Sequence, residues 1–331
     1  MTSPQRRGAA TSASDEARQV RLPGPAQEAP AGQQARPSRD SASASGGEPA
    51  PGPEPAEPAP GPESAPGPET PRDRSFGEEG ARLTYSSYLR IPELLSQQVT
   101  LAEPPAHDEL LFITVHQVYE LWFKQLLFEL ESARDEMIAG RPWQARHLLR
   151  RVHAIERLLV TQVEVLETMT PQDFLAFRAT LAPASGFQSA QFRELEFLSG
   201  AKDPGFLSRF RALTTDERTR LSARLAGPSL WDGFTGLLAA RGLPTGDDRE
   251  ITAALLTVAR TRAEYDDLWQ LSEDLLTHDE LAAQWRARHV AMVERQIGTK
   301  SGTGGSTGAP YLRRRLDLHY YPLLWELRDF L

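Results

Sequence analysis

The sequence predicts an all-α protein: a single helical-bundle domain that follows a disordered, proline-rich tail. The first observation is a change of composition, because the first 75 residues hold 15 of the 26 prolines and 8 of the 24 glycines but no Phe, Trp, Tyr, Ile or Lys. Such a segment cannot bury enough apolar surface to offset the entropy lost on ordering. The second observation is helical periodicity from Leu83 onward, without the alternation that marks a strand. We therefore divide the chain into a disordered Pro/Ala/Glu/Gly-rich tail, residues 1–78, and an all-helical domain, residues 79–331.

Composition excludes several classes of protein. The net charge is −8, of which the first 75 residues contribute −2 from 8 basic and 10 acidic side chains, so the folded part lacks the basic excess of a nucleic-acid-binding protein. The absence of cysteine excludes disulfides, iron–sulfur clusters and a thiolate ligand to haem. The chain has no run of 18 apolar residues, and its N-terminus lacks the apolar stretch of a secretory signal. We therefore expect no membrane span and a cytoplasmic protein.

Two long helices are expected first in the folded part. Residues 107–138 carry apolar side chains at helical spacing around much of the circumference, which indicates a central helix. Gly140 and Pro142 end it, because glycine favours the helix C-terminus and proline cannot continue a helix. A second amphipathic helix is predicted over residues 142–168.

Shorter segments follow. Thr170 is a candidate N-cap with Asp173 three residues later, so a helix is predicted to begin at Pro171. Residues 182–189 contain proline and glycine and are expected to form a loop, which leads into another helix. Residues 205–242 hold proline and glycine breaks, which indicate several short helices.

The last part of the chain is expected to contain three longer helices. The first covers residues 249–276, and the second begins with Thr277 as its N-cap and a glutamate three residues later. That helix ends at Gly298. The four glycines of residues 299–308 predict a flexible loop, and a final helix is predicted over residues 310–330.

Two histidines and one arginine are the candidates for chemistry. His116 lies inside the most apolar helix, and His289 lies in mid-helix beside Trp285. From the pattern alone each is either a hydrogen-bonded core residue or a cofactor ligand. Arg178 forms either a surface ion pair or a bidentate clamp for a carboxylate. Phe174, four residues earlier, shares its helix face and could supply an apolar wall.

Several other catalytic chemistries lack their sequence motifs. The chain has neither the HExxH of a zinc protease nor the GxSxG of a serine hydrolase. The GTGGSTG run lacks the lysine of a P-loop and follows a predicted helix rather than a strand. We interpret it as a lid beside a site.

Four long motifs follow one another along the chain: LTYSSYLRIPELL, HDELLFITVHQVYELWFKQLLFELE, PQDFLAFRATLAPASGFQSAQFRELE and WRARHVAMVERQIGTKSGTGGSTG. In this order they resemble the tryptophan 2,3-dioxygenase family over about residues 80–331. The family commonly has glycine and serine where this chain has Ala182 and Ala184.

The resemblance implies a haem pocket between the helices of the bundle. It implies one haem b per subunit with His289 as the axial ligand of the iron, and His116 as the catalytic histidine on the opposite, distal side. Arg178 matches the arginine that binds the substrate carboxylate, and Thr303 the threonine that contacts its ammonium and carboxylate. The matching substrate-binding positions are Phe112, Ile113, Thr114, Val115, His116, Phe174, Arg178, Ser185, Thr303, Tyr85 and Tyr88.

The resemblance also implies a reaction and an assembly. The reaction inserts O2 across the indole C2–C3 bond of L-tryptophan and gives N-formyl-L-kynurenine, the first step of tryptophan degradation. The assembly is a homotetramer in which Tyr85 and Tyr88 approach the pocket of a neighbouring subunit. Two alternatives stay open: a related haem enzyme that acts on a modified tryptophan or as a monooxygenase, and a haem-binding sensor or structural protein. Product mass separates the first of these from a dioxygenase, and a complete substrate clamp argues against the second.

Overall fold

The described part of the chain is helical. The structure, a computed structural model, describes residues 83–210, 212–304 and 307–331, and all of them belong to one compact unit. These residues contain no strand, which confirms the all-α prediction. The predicted disordered tail, residues 1–78, lies outside the described residues. No helix within the described ranges combines the length and the apolar character needed to cross a membrane.

Thirteen α-helices and three 3₁₀ segments make up the described fold. The 3₁₀ segments are Ala179–Leu181, Gly186–Gln188 and Leu327–Phe330. The helices are α1 (Tyr85–Leu89), α2 (Ile91–Leu95), α3 (His107–Ile138), α4 (Pro142–Glu167), α5 (Pro171–Arg178), α6 (Ala190–Ser199), α7 (Gly205–Arg209), α8 (Thr215–Ala226), α9 (Leu230–Ala240), α10 (Asp248–Arg260), α11 (Arg262–Ile297), α12 (Ala309–Arg313) and α13 (Pro322–Glu326).

Helices α3, α4 and α11 form the centre of the bundle. The bounds of α3 agree with the prediction, and α4 ends one residue before its predicted end. The turn between them contains Gly140, whose φ of 77° lies in the left-handed region that glycine adopts without strain. Helix α4 packs against both α3 and α11, and buried residues such as Leu130, Leu149 and Leu271 fill the space between them.

The predicted start of α5 is confirmed. The Thr170 hydroxyl accepts from the backbone N–H of Asp173, and the Asp173 carboxylate accepts from the backbone N–H of Thr170. This reciprocal capping box satisfies two N–H groups that a helix start leaves unpaired. It fixes the helix that carries Phe174 and Arg178, one turn apart.

The prediction of one helix over residues 249–276 is wrong. Helix α10 ends at Arg260, and Thr261 takes non-helical angles (φ −116°, ψ 49°) before α11 begins. The predicted cap at Thr277 is also wrong, because α11 continues through it and the hydroxyl donates to the carbonyl of Glu273 inside the helix. The apolar spacing is the same on both sides of the break, so periodicity alone cannot locate it. The predicted end at Gly298 is confirmed.

The prediction of one helix over residues 310–330 is also wrong. Helices α12 and α13 are separate, and Tyr321 has non-helical angles (φ −130°, ψ 66°). The physical reason is the buried carboxylate of Asp279, which accepts from the backbone N–H groups of Tyr320 and Tyr321 and from the indole N–H of Trp325. Those backbone groups bind a side chain instead of carbonyls one turn earlier, so the helix cannot continue.

A buried histidine in this core predicts how stability responds to acid. Burial, reinforced by the neighbouring His278, lowers the pKa of His153 to about 4, and its Nε2–H donates to the carbonyl of Asp274. As pH falls below about 6.5, His153 binds a proton in the unfolded chain but stays neutral in the folded chain until about pH 4. The stability that comes from its neutral form is therefore lost as pH falls from about 6.5 to about 4. Between pH 7 and pH 4 we expect the wild type to lose up to about 3 kcal/mol more unfolding free energy than His153→Gln. Urea unfolding at both pH values measures the difference, and equal losses would contradict the assignment.

Candidate active site

One large cavity gathers most of the predicted site residues. It lies between α3, α5, α6 and α11, is lined as well by residues of the segments 185–189 and 302–303 and by Gly308, and has a volume of about 260 Å³. Six residues singled out from the sequence line it: His116, Phe174, Arg178, Ser185, His289 and Thr303.

The other predicted positions lie elsewhere in the subunit. Phe112 is behind the cavity wall, with its ring centroid 4.1 Å from that of His116 and 5.7 Å from that of Phe174. The three residues that follow it do not line the cavity: Ile113 is half-buried, Thr114 is exposed, and Val115 is buried in the core. Tyr85 and Tyr88 belong to α1, which has no buried residue, and they are 78% and 71% exposed. The two tyrosines therefore do not line the cavity of their own subunit.

His116 has a defined tautomer. Its Nδ1 lies 2.7 Å from the carbonyl oxygen of Phe112, and a carbonyl can only accept, so Nδ1 carries the hydrogen. Burial lowers the pKa of His116, which keeps the ring neutral near pH 7. In that form Nε2 is a bare acceptor with no partner among the described residues. The cavity wall thus offers one nitrogen that can accept an N–H hydrogen bond.

His289 presents a neutral imidazole to the cavity. Burial and the nearby His116 lower its pKa to about 4. Its ring stacks on Trp285, one turn earlier in α11, with centroids 5.1 Å apart and planes 3° apart. It makes no hydrogen bond to any described residue. A neutral, sterically held imidazole that faces a cavity is the form of histidine that ligates a metal ion.

Two loops meet over the cavity at Arg178. The guanidinium Nη2 of Arg178 donates to the carbonyl of Ser301, and the Thr303 hydroxyl donates to the carbonyl of Ala184 at 2.6 Å. The 299–304 segment is therefore joined to both α5 and the 182–189 loop. The other N–H groups of Arg178 and the lone pairs of the Thr303 hydroxyl remain available to a ligand.

One wall of the cavity is cationic, which no sequence pattern indicated. Arg193, Arg286 and Arg315 line it, with Glu196 paired to both Arg193 and Arg315. Burial, with a contribution from Arg315, lowers the pKa of Arg193 to about 10, so the group is charged at neutral pH. The Nε of Arg193 and the Nε and Nη1 of Arg286 are buried without partners. Arginines that alternate with glutamates along a helix are typical of a solvent-exposed face, so the sequence does not distinguish these three arginines from surface residues.

The donor set fits a flat cofactor that carries a metal ion and anionic groups. One wall provides an imidazole with no other partner, and another provides buried guanidinium groups with unpaired N–H donors. Buried donors of this kind are rarely left unpaired in native proteins, so a ligand with acceptor oxygens is expected beside them. His116, Arg178 and Thr303 remain for a second, polar ligand.

Comparisons with known proteins agree with this geometry. A family model described as tryptophan 2,3-dioxygenase matches residues 71–224 and 246–331. Over 259 residues the chain is 65% identical to a tryptophan 2,3-dioxygenase of Nocardioides sp., an alignment that covers 77% of this chain and 97% of the relative. It is 46% identical over 256 residues to the enzyme of that name from Herpetosiphon aurantiacus, covering 74% and 97%. It is 45% identical over 263 residues to that of Anaeromyxobacter sp., covering 76% and 97%. The chain belongs to the tryptophan 2,3-dioxygenase family.

Proposed function

We propose that this chain is a haem-dependent dioxygenase that converts L-tryptophan and O2 into N-formyl-L-kynurenine. The observation that carries the proposal is the meeting of His116, Arg178, Thr303 and His289 at one cavity in a member of this family. An amino acid with an indole side chain has three parts to recognise: a carboxylate, an ammonium and an aromatic N–H. Each part has a matching group on the cavity wall.

Haem b, one per subunit, is the cofactor that the donor set fits. His289 would ligate the iron, since the chain has no thiolate to offer. The unpaired Nε–H of Arg193 would pair with a propionate. When bound, haem activates O2 so that both oxygen atoms enter the product and no external reductant is consumed.

The substrate is held by three groups that differ in chemistry. Arg178 has a planar fork that binds a carboxylate through two parallel hydrogen bonds. Thr303 already donates its hydroxyl hydrogen to Ala184, so its oxygen is left to accept from the ammonium. Phe174 supplies an apolar wall beside the indole, one turn before Arg178. Three fixed points orient the indole ring, which lowers the entropic cost of reaching the reactive arrangement.

His116 acts as a hydrogen-bond acceptor for the indole N–H. Its Nδ1–H is committed to the carbonyl of Phe112, so the bare Nε2 is the atom that faces a ligand. This places one positioning contact at the indole nitrogen. The proposal does not require His116 to remove the proton, because dioxygen itself can take it or the ring can react without deprotonation.

Substitution of Gly304 should separate the two loops that cover the site. A Cβ at Gly304 would lie 2.5 Å from the Cβ of Ser185, closer than carbon atoms approach. Gly304→Ala should therefore disrupt the hydrogen bond from Thr303 to Ala184 and lower kcat/KM for L-tryptophan by roughly 3- to 10-fold, the value of one neutral hydrogen bond.

Two companions make this test specific. Ser185→Gly in the same chain removes the clash, so the double variant should be more active than Gly304→Ala alone. Gly236→Ala is the matched control, because its added Cβ meets nothing within 4 Å. Full activity of Gly304→Ala would contradict the contact between the loops.

We propose that the enzyme is a cytoplasmic homotetramer in which Tyr85 and Tyr88 complete the pocket of a neighbouring subunit. The support is their exposure of 78% and 71% on α1, which contributes nothing to the core of its own subunit. Two large aromatic side chains left in solvent are costly, and a neighbouring subunit would bury them.

Mixed subunits test that assembly. Tyr85→Ala/Tyr88→Ala and Arg178→Leu should each be nearly inactive as pure proteins. Co-expressed, they should recover activity, because a pocket with intact Arg178 then meets intact tyrosines from the other subunit. Turnover and mass photometry of the mixed and pure proteins measure this, and a mixture no more active than its parts would contradict the shared site.

The reaction itself is tested by turnover. Purified protein is loaded with haem, reduced to the ferrous state, and mixed with L-tryptophan in air. The proposal predicts a product with the absorbance of N-formyl-L-kynurenine and a mass equal to tryptophan plus two oxygen atoms. A product with one added oxygen, or no product from haem-loaded protein, would contradict it.

A further inference from the structure

A second, smaller cavity lies against the wall of the ligand cavity. Its volume is about 40 Å³, and four residues line both cavities: Phe123, Phe192, Trp285 and Arg286. We call it the inner chamber. Nearly all its other walls are buried residues of α3, α4, α6 and α11, so it is part of the helical core.

Three polar side chains from three helices meet at the inner chamber. The imidazole of His278 has Nδ1 2.5 Å from Glu156 Oε1 and Nε2 2.8 Å from Ser199 Oγ. All three residues are buried, with 3%, 6% and 0% exposure respectively. The order of contacts resembles that of a hydrolase triad, but the buried hydroxyl cannot meet a substrate. The array uses both imidazole nitrogens and leaves Glu156 Oε2 without a partner.

The chamber collects unpaired polar atoms. Nine buried side-chain nitrogen or oxygen atoms lack a hydrogen-bond partner in the described ranges. Four of the nine belong to residues that line this one small space: Glu156 Oε2, Trp285 Nε1, and Arg286 Nε and Nη1. Native proteins leave few such atoms unpaired. Trp285 and Arg286 also line the ligand cavity, whereas Glu156 lines the chamber only, so its Oε2 is the clearest indication of a ligand there.

Protein groups nearby do not satisfy these atoms. Arg286 donates through Nη2 to the carbonyl of Leu318 at 2.6 Å, but the Asp279 carboxylate is 4.0 Å from the same Nη2. The indole N–H of Trp285 lies beside the hydroxyl of Tyr119, and the guanidinium of Arg286 lies beside that of Tyr320, but neither contact has the geometry of a hydrogen bond.

We propose that the inner chamber binds two or three ordered water molecules that bridge Glu156 to Arg286 and Trp285. The volume is enough, since a water needs roughly 10–15 Å³ of such space and two to four polar partners. The N–H groups of Arg286 and Trp285 donate to the waters, and the waters donate to Glu156 Oε2. A halide would also attract Arg286, but the acceptor oxygen of Glu156 disfavours an anion.

The waters give Glu156 a positioning role at a distance. Trp285 stacks on His289, so whatever fixes the indole also fixes the imidazole that faces the ligand cavity. The bridge connects that indole to the Glu156–His278–Ser199 array on three different helices. This inference does not depend on the identity of the ligand in the larger cavity.

Crystallography tests the occupant directly. Crystals of the full chain, one set native and one soaked in bromide, should show two or three waters within about 3.2 Å of Glu156 Oε2 and Arg286 Nε, and no anomalous bromide signal in the chamber. An empty chamber, or a bromide peak in it, would overturn the proposal.

An isosteric pair of variants tests it in solution. Ala282 lines the chamber, and Ala282→Thr and Ala282→Val add side chains of the same shape that differ in one hydroxyl. In a hydrated chamber the hydroxyl replaces a water, whereas valine displaces one and leaves polar atoms unpaired. We expect Tm of the threonine variant to exceed that of the valine variant by about 2–6 °C at equal haem content. Equal values, or a higher Tm for valine, would contradict a hydrated chamber.

Discussion

Replacing His289 with alanine should give a folded protein that retains little or no haem through purification. The imidazole is neutral, stacked on Trp285 and without a hydrogen-bond partner among the described residues, which suits the iron-ligand role that we propose for it. Its loss removes the protein's bond to iron and leaves only the contacts around the porphyrin. The Soret absorbance per polypeptide measures the effect, and circular dichroism shows whether the helices remain.

Two further proteins separate ligation from folding. His147→Ala is the matched control, because His147 is exposed on α4 and makes no contact with the cavity. His289→Gly leaves a space that free imidazole can fill, so added imidazole should restore haem binding to that variant. Normal haem content and an unchanged Soret band in His289→Ala would contradict the assignment.

Replacing Arg178 with leucine should lower kcat/KM for L-tryptophan by roughly 30- to 1,000-fold. The substrate carboxylate would be desolvated without its bidentate partner, which costs on the order of 2–4 kcal/mol. Haem content should not change, because Arg178 lies on α5 and the iron ligand that we propose, His289, lies on α11. Steady-state kinetics with the haem-loaded variant measure the effect.

A second substrate identifies the lost contact as one to the carboxylate. Tryptamine has the same indole and ammonium but no carboxylate, so Arg178→Leu should shrink the preference for tryptophan over tryptamine. Arg249→Leu is the control, since that arginine is exposed and does not line the cavity. Wild-type kinetics in Arg178→Leu would mean that the guanidinium serves the loop at Ser301 and not the substrate.

The parts of the fold that sequence predicted are those set by local rules. The helix over His107–Ile138 follows from its apolar stripes, and the start at Pro171 follows from the Thr170–Asp173 capping box. The wrong prediction over residues 310–330 has a tertiary cause. The buried carboxylate of Asp279 lies about 40 residues before the backbone groups of Tyr320 and Tyr321 that it binds, and no periodicity predicts that pairing.

The candidate site divides in the same way. His116, Arg178 and His289 stood out because each lies in an unusual local context or a family motif, and the structure brings them to one cavity. The cationic wall and the inner chamber did not stand out, because Arg193 and Glu156 occupy ordinary positions on amphipathic helices. Only their burial in the folded chain distinguishes them from solvated charges.

We propose that both atoms of one O2 molecule enter tryptophan. The direct measurement is a single turnover of ferrous, haem-loaded protein with L-tryptophan under ¹⁸O2 in ordinary water, followed by the mass of the product within seconds of mixing. We expect a formylkynurenine that carries two ¹⁸O atoms. A product with a single ¹⁸O, the other oxygen being absent or drawn from water, would contradict it and identify a monooxygenase.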